Sequence, residues 1–165
     1  EVFTENKPMS VRVSASDWAK NGITEEEIVF VCEAFKAAGA DIINVSTGNT
    51  VAHQQPQIGR MWQTPFSDLI RNSAHIPTIT TGYIQDIDQI NTILVNGRAD
   101  LVALGRPLLL DPNFVRHAQA YEQYKPSDIP NQYTAGTSHL YPLHAAQRTA
   151  VENMKKALKP ESHKK

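Results

Sequence analysis

Two stretches, 37-AAGADIINVSTG-48 and 95-VNGRADLVALGR-106, follow one plan. Each closes a helical pattern with glycine, the residue that most easily takes the left-handed helix cap, then enters a short apolar run at Ala-Asp. The runs 10-SVRVSA-15, 41-DIINVS-46, 77-PTITT-81 and 100-DLVAL-104 have the length, β-branched content and Gly, Pro or Asp boundaries of buried parallel strands. Parallel strands need a crossover, so a repeated strand–helix unit builds one parallel sheet. Two α/β architectures satisfy this: an open doubly wound sheet, or part of an eight-stranded barrel.

The intervening segments carry helix start signals. Thr24 with Glu27 fits a capping box, Thr64-Pro65 puts a cap before a first-turn proline, Asp86 with Gln89 repeats the box, and Asp111-Pro112 is expected to open the last barrel-type helix. Ile28, Val31, Cys32 and Phe35 form one apolar face; Ile87, Ile90, Leu94 and Ile93 form another. From residue 126 the pattern changes. The stretch 126–142, with three prolines, is expected to be a loop, followed by a helix from Leu143 to Leu158 and a frayed end. The expected division is therefore 1–125 for the strand–helix units and 126–165 for a terminal loop and helix. The opening EVFTENKP reads as the tail of a preceding element, which gives the expectation of a piece of something longer.

Charge narrows the partners. Sixteen basic residues against seventeen acidic give a net charge of −1, and the only basic run is His163-Lys164-Lys165, so neither nucleic acid nor a membrane surface is indicated. Small molecules and protein remain. The single cysteine, Cys32, permits no internal disulfide and sits on a helix face as a small hydrophobe; with no apolar stretch of about 18 residues and no signal-peptide pattern, a cytoplasmic protein is expected. The six histidines lack metal-ligand spacing, and no Ser/His/Asp order supports a hydrolase.

Function in parallel α/β folds collects where strands end and helices begin. Those places hold Ser14–Trp18, Ser46–Asn49, Thr81–Tyr83 and Gly105–Arg106. Gly82 and Gly105 admit close approach of backbone to a ligand, and successive amides backed by the Arg106 guanidinium suit a phosphate monoester; tight turns and a solvated cation are the plainer account. Arg12 alternates with Val11 and Val13 and so shares a face with Ser14, which in a barrel is the interior. A cation there needs either a structural carboxylate or a bound anionic or electron-rich ligand. The long polar loop 47–63 contains Arg60, Trp62 and Gln63, which could line a pocket, although a surface excursion is the default.

Taken in order, PMSVRVSASDW, AGADIINVSTG, GRMWQTPFSDLIRN, IPTITTGYI, NGRADLVALGRPLLLDPNF and PNQY resemble the second half of the Old Yellow Enzyme family of flavin-dependent NAD(P)H oxidoreductases, over about residues 7 to 133. The likeness is strongest to the reductase-like C-terminal domain of bifunctional salicylyl-CoA 5-hydroxylases. It implies a (β/α)8 TIM-type barrel of which only strands five to eight and their helices are present, plus a C-terminal helix. It also implies FMN at the C-terminal ends of the strands, NAD(P)H as hydride donor, and an electron-poor alkene or other acceptor as substrate. By position, Arg12 resembles the arginine at the flavin's pyrimidine edge, Gly82, Tyr83, Gly105 and Arg106 fall where the phosphate is held, and Ser46 lies near the ribityl chain.

The resemblance also marks what is missing. The family's first four strands supply contacts near the flavin N5, the His/His or His/Asn pair that binds substrate, and a tyrosine proton donor, so no catalytic residue is expected in this chain. Thr134-Ala135 follow Gln132-Tyr133 where some relatives place an intersubunit arginine. The expected partner is the missing N-terminal half-barrel or another copy of the chain. The alternative function is a catalytically inert half-barrel that pairs into a pseudo-barrel and binds a phosphorylated ligand.

Overall fold

The computed structural model describes residues 6–124 and 129–158. The chain divides into two compact units, residues 1–105 and 106–165. Residues 1–5, the 126–128 portion of the expected loop and the end expected to fray beyond 158 lie outside the described residues.

In the first unit β1 (Ser10–Ser14), α1 (Glu25–Ala37), β2 (Ile42–Ser46), α2 (Thr64–Ser73), β3 (Thr78–Thr80), α3 (Ile87–Val95) and β4 (Leu101–Val102) alternate along the chain. The four strands pair parallel in the order β1-β2-β3-β4. A doubly wound sheet reverses its strand order at a switch point; this one runs in sequence order throughout, as an arc of a barrel does. Of the two architectures open to the sequence, the barrel type is the one formed.

Side-chain alternation then sorts the faces. Val13, Ala15, Ile43 and Val45 pack with Ile28 and Cys32 of α1 and Ile70 of α2 in one core; Ile84, Ile93 and Ala99 form a second with Val102 packed against it. Each of these strand residues lies on the helix-bearing face. The opposite face carries the register pairs Arg12–Asn44 and Ser14–Ser46, with Ile79 and Leu101 beyond. No helix of this unit packs there, and Leu101 is 54% exposed.

The caps form with two corrections. Thr24 and Glu27 make the reciprocal box: Glu27 N–H donates to Thr24 Oγ1 at 3.2 Å and Thr24 N–H to Glu27 Oε2 at 2.8 Å. Gln63, not Thr64, is the N-cap of α2, which moves Pro65 one place inward. Asp86 Oδ1 accepts from Gln89 N–H at 2.8 Å, but the Gln89 side-chain Oε1 accepts from Gln85 N–H at 2.9 Å rather than from the cap itself. That inward turn buries Gln89 together with Ile93, one turn on, so the face of α3 is rotated and Leu94 is left exposed. Phe35 likewise sits at the exposed margin of α1.

The repeated Ala-Asp has a physical purpose. Asp41 Oδ2 accepts from Met9 N–H at 2.7 Å, and Asp100 Oδ2 from Thr78 N–H at 2.9 Å. In each case the carboxylate preceding one strand holds the entry to the neighbouring strand. Asp100 also forms a two-pronged pair with Arg71, 3.0 Å at each contact, and this, assisted by the Thr78 amide, lowers its pKa below the ordinary value against a smaller opposing effect of burial.

The second unit is helical: α4 (Arg106–Leu110), α5 (Phe114–Tyr121), a short 3-10 turn at Asn131–Tyr133 and α6 (Thr134–Ala157). The expected helix start at Asp111-Pro112 is displaced. Asp111 instead ends a turn, accepting from Asn113 N–H at 3.0 Å and pairing with His117 at 2.7 Å, and α5 begins at Phe114. The expected loop over 126–142 is also overturned, because α6 starts at Thr134 and carries Pro142 in its interior. Proline removes one amide and disfavours helix by about 3 kcal/mol, yet the helix continues. Thr134, Thr137 and Ser138 hydroxyls fold back on carbonyls three residues earlier, at 2.7 to 2.8 Å. Arg148 then donates to the Tyr121 carbonyl at 2.9 Å and lies over its ring, tying α6 to α5. No helix among the described residues is long and apolar enough to cross a membrane.

Candidate functional site at the strand ends

The strand ends of the first unit bring three loops together. After β1, Trp18 N–H donates to Ser16 Oγ at 3.2 Å, and Gly48 N–H after β2 donates to the Ser16 carbonyl at 2.7 Å. Ser14 Oγ returns a bond to the Gly48 carbonyl at 3.1 Å. Asp17 accepts from Thr50 Oγ1 and from Ile23 N–H, which hold its carboxyl below its ordinary pKa. It is therefore an anionic staple between two loops and is poorly suited to act as a base.

Aromatic packing extends the same junction. Trp18 stacks at a tilt on Trp62, 5.6 Å between ring centroids, and meets Phe66 edge-on at 5.5 Å. Trp62 and Gln63 in turn press on Gly82 after β3. A Cβ built there would lie 2.9 Å from Gln63 Cγ and 3.0 Å from Trp62 Nε1. Glycine at 82 is thus required twice, by this approach and by a φ of +99°.

Backbone strain accumulates in these loops. Trp18, Asn49, Met61 and Tyr83 all have positive φ, between 52° and 62°. For bulky residues this conformation costs of order 1–2 kcal/mol each and persists only where surroundings enforce it. Buried polar atoms without partners gather here too: Trp18 Nε1, Asn44 Oδ1, Thr47 Oγ1 and Gln63 Oε1. Such groups are costly to leave unpaired, about 1–3 kcal/mol each, which marks this end of the sheet as the candidate site.

The residues expected from sequence fall as follows. Arg12 lies on the helix-free face, exposed, and its Nη2 donates to Ser46 Oγ at 3.1 Å. Among the described residues no carboxylate pairs with it. Arg12 and Ser46 are brought together. Gly82 and Tyr83 form the turn after β3; around Gly105 a built Cβ meets nothing within 4 Å. Arg106 opens α4, at the start of the second unit. Cys32 is wholly buried and desolvation pushes its thiol up to about 11, so it stays protonated and inert. Among the described residues no three His, Cys, Asp or Glu side chains gather as metal ligands.

Asn44 went unrecognised in the sequence. Its signal was a polar residue in the middle of the apolar run DIINVS, which pairs in register with Arg12 once β1 and β2 are aligned.

Residues 1–124 match the model of the NADH:flavin oxidoreductase / NADH oxidase family. NADPH dehydrogenase of Clostridium acetobutylicum is 42% identical over 116 residues, 70% of this chain and 34% of that one. NADPH dehydrogenase of Listeria innocua is 39% identical over 127 residues, 77% of this chain and 37% of that one. The chain thus spans about a third of the length of these relatives. Among solved structures, a 2-naphthoyl-CoA reductase complex with 2-naphthoyl-CoA superposes with a TM-score of 0.55 at 20% identity, over 67% of this chain and 17% of that one, a likeness of fold.

Proposed function

The chain belongs to the NADH:flavin oxidoreductase / NADH oxidase family, and from that premise we propose that it is the phosphate- and pyrimidine-side half of an FMN-dependent NAD(P)H oxidoreductase of the Old Yellow Enzyme type. The observation that carries this reading is Arg12: a cation on the helix-free face, beside the strand ends, bonded to the Ser46 hydroxyl at 3.1 Å and to no carboxylate among the described residues. Such a guanidinium keeps its full charge for a ligand that becomes more negative on reduction. The surrounding groups fit FMN as well, since unpaired donors and acceptors sit at the strand ends beside the Gly82–Tyr83 turn.

In this assignment Arg12 faces the pyrimidine edge of the flavin, Ser46 the ribityl chain, and Gly82, Tyr83 and Gly105 the phosphate. Arg106 joins them on its sequence position, one peptide bond beyond Gly105. When bound, FMN supplies two-electron chemistry, accepting hydride from NAD(P)H and delivering it to an electron-poor alkene or another acceptor. The groups that bind substrate and deliver a proton belong to the other half of the barrel, so this chain alone is inactive. Its partner is that half or a second copy, and Leu101, 54% exposed on the helix-free face, is part of the surface to be covered. The buried Cys32 suits a reducing compartment such as the cytoplasm. A kinship with the reductase-like domain of bifunctional salicylyl-CoA 5-hydroxylases is part of the same proposal.

The test is to combine the chain with the complementary N-terminal half-barrel. The expected product is yellow, oxidises NAD(P)H in the presence of an enone, and loses tight flavin binding with Arg12→Ala. A combination with no flavin absorbance and no NAD(P)H-dependent reduction rejects the enzyme reading. The rival, an inert half-barrel that pairs with itself, requires a dimer by size-exclusion mass, so a stable monomer counts against it.

A further inference from the structure

Asn44 interrupts the apolar run of β2 on the helix-free side of the sheet, in register with Arg12 of β1 and Ile79 of β3. Its Oδ1 is buried and has no partner among the described residues. A buried carboxamide oxygen needs a donor, and leaving it without one costs about 1–3 kcal/mol. The neighbours on its own face narrow the choice. Ile79 has no polar side chain, Ile42 and Ser46 flank Asn44 along β2, and the Ser46 hydroxyl already accepts from Arg12 Nη2 at 3.1 Å. Arg12 stands directly opposite on the adjoining strand, about 5 Å away as paired strands are spaced. A guanidinium carries several N–H donors and no acceptor, which is what a stranded oxygen requires. The guanidinium leans forward to Ser46, the register partner of Ser14 rather than of Arg12 itself.

The type of residue matters as much as its place. An apolar side chain at 44 would leave the guanidinium with Ser46 alone, and a carboxylate would form an ion pair that offsets its charge. A carboxamide accepts a hydrogen bond and stays neutral. We propose that Asn44 is a positioning residue for Arg12: its Oδ1 is a second seat for the guanidinium, taken when the Ser46 hydroxyl is engaged by a ligand. Because that seat is neutral, the cation is held without being cancelled. This rests on the reading that Arg12 and Ser46 serve a flavin that becomes more negative on reduction, and it adds a residue that acts on the arginine rather than on the ligand.

The second seat is tested on the chain without any ligand. Ser46→Ala removes the first acceptor, and the guanidinium proton signals of Arg12, assigned by their loss in Arg12→Lys, report where the group goes. They are expected to stay protected from exchange with water in Ser46→Ala and to exchange about tenfold faster in Ser46→Ala/Asn44→Ala, as loss of one charge-assisted hydrogen bond predicts. Asn44→Asp in the otherwise native chain is expected to move the same signals by forming an ion pair. Equal exchange with and without Asn44, or Arg12 signals that ignore Asn44→Asp, overturns the proposal. In the chain combined with the complementary N-terminal half, Asn44→Asp is expected to shift the flavin midpoint potential to more negative values, because a carboxylate beside Arg12 opposes the charge gained on reduction. A potential unchanged by Asn44→Asp overturns the charge argument. A combined protein without flavin absorbance rejects the flavin reading, while the ligand-free exchange still decides the second seat.

Discussion

The two ends of the parallel sheet are built on opposite terms. Where the strands begin, Asp41 and Asp100 each hold the amide of the neighbouring strand, and Asp100 is further clamped by Arg71. Both carboxylates there have partners, and one non-glycine residue, His75, takes positive φ. Where the strands end, five non-glycine residues, Trp18, Asn21, Asn49, Met61 and Tyr83, take positive φ and four buried polar atoms have no partner among the described residues. One end is clamped by carboxylates; the other carries more strain and the unpaired groups, at the end of the strands where barrels place their sites. Substitutions at the two ends should therefore differ in kind. Loss of a clamp should reduce stability and spare binding, whereas removal of an unpaired group should do the reverse.

The largest effect is expected at Gly82, where the two demands meet. Gly82→Ala introduces a Cβ into a space already occupied by Gln63 and Trp62 and forces a side chain onto φ +99°. The expected loss is about 2–4 kcal/mol in denaturant unfolding, with phosphate binding lost as well. A variant of near-normal stability would show that the loop from β2 yields freely, which the comparison does not allow.

Asp100→Asn sharpens the stability side. It keeps an acceptor for Thr78 N–H and removes the ion pair with Arg71, at an expected cost of about 1 kcal/mol near neutral pH for a pair that remains partly solvated. The sign with pH follows from the lowered pKa. Asp100 contributes fully above its ordinary value of 3.8, and that contribution is lost as pH falls through the lower folded value. Thermal melts of the native chain should therefore fall more steeply on acidification than those of Asp100→Asn. Parallel acid limbs would remove Asp100 from the account.

Most of the first unit could be read from its sequence because the signals there are local. The Thr24–Glu27 box, the Ala-Asp repeats and strand alternation each depend on residues within a turn or two of one another. The errors arose where a tertiary partner decided the outcome. Gln63, the N-cap of α2, packs against Gly82 from another loop, and α3 is rotated with Gln89 turned in toward Gln85. Pro142 read as a breaker because the hydroxyls that hold the first turns of α6 give no periodic signal. The site divided in the same way. Glycines and a stranded arginine were visible, but Asn44 required the register of two strands, and the pressure of Trp62 on Gly82 required three loops to be folded.

Asp41→Ala is expected to cost about 1 kcal/mol, since a single amide of an exposed strand entry turns to water in place of the carboxylate. Flavin binding should be unchanged, because the substitution lies at the opposite end of the sheet from Arg12's contact with Ser46.

The smallest stability change, and the most discriminating, belongs to Tyr83→Gly. Tyrosine at φ +52° carries strain of order 1–2 kcal/mol. Glycine relieves it, but its greater freedom in the unfolded chain costs roughly 0.5–1 kcal/mol. The two terms nearly cancel, so unfolding free energy should move by less than about 1 kcal/mol in either direction. Affinity for a phosphate monoester should nonetheless fall, because the freed turn no longer presents its amides in a fixed array. Stability and affinity thus separate at Tyr83, whereas at Asp41 stability alone changes. If Tyr83→Gly instead unfolds as readily as a clamp variant while binding phosphate normally, the strained turn is a structural joint, and the two ends of the sheet do not divide the work as described.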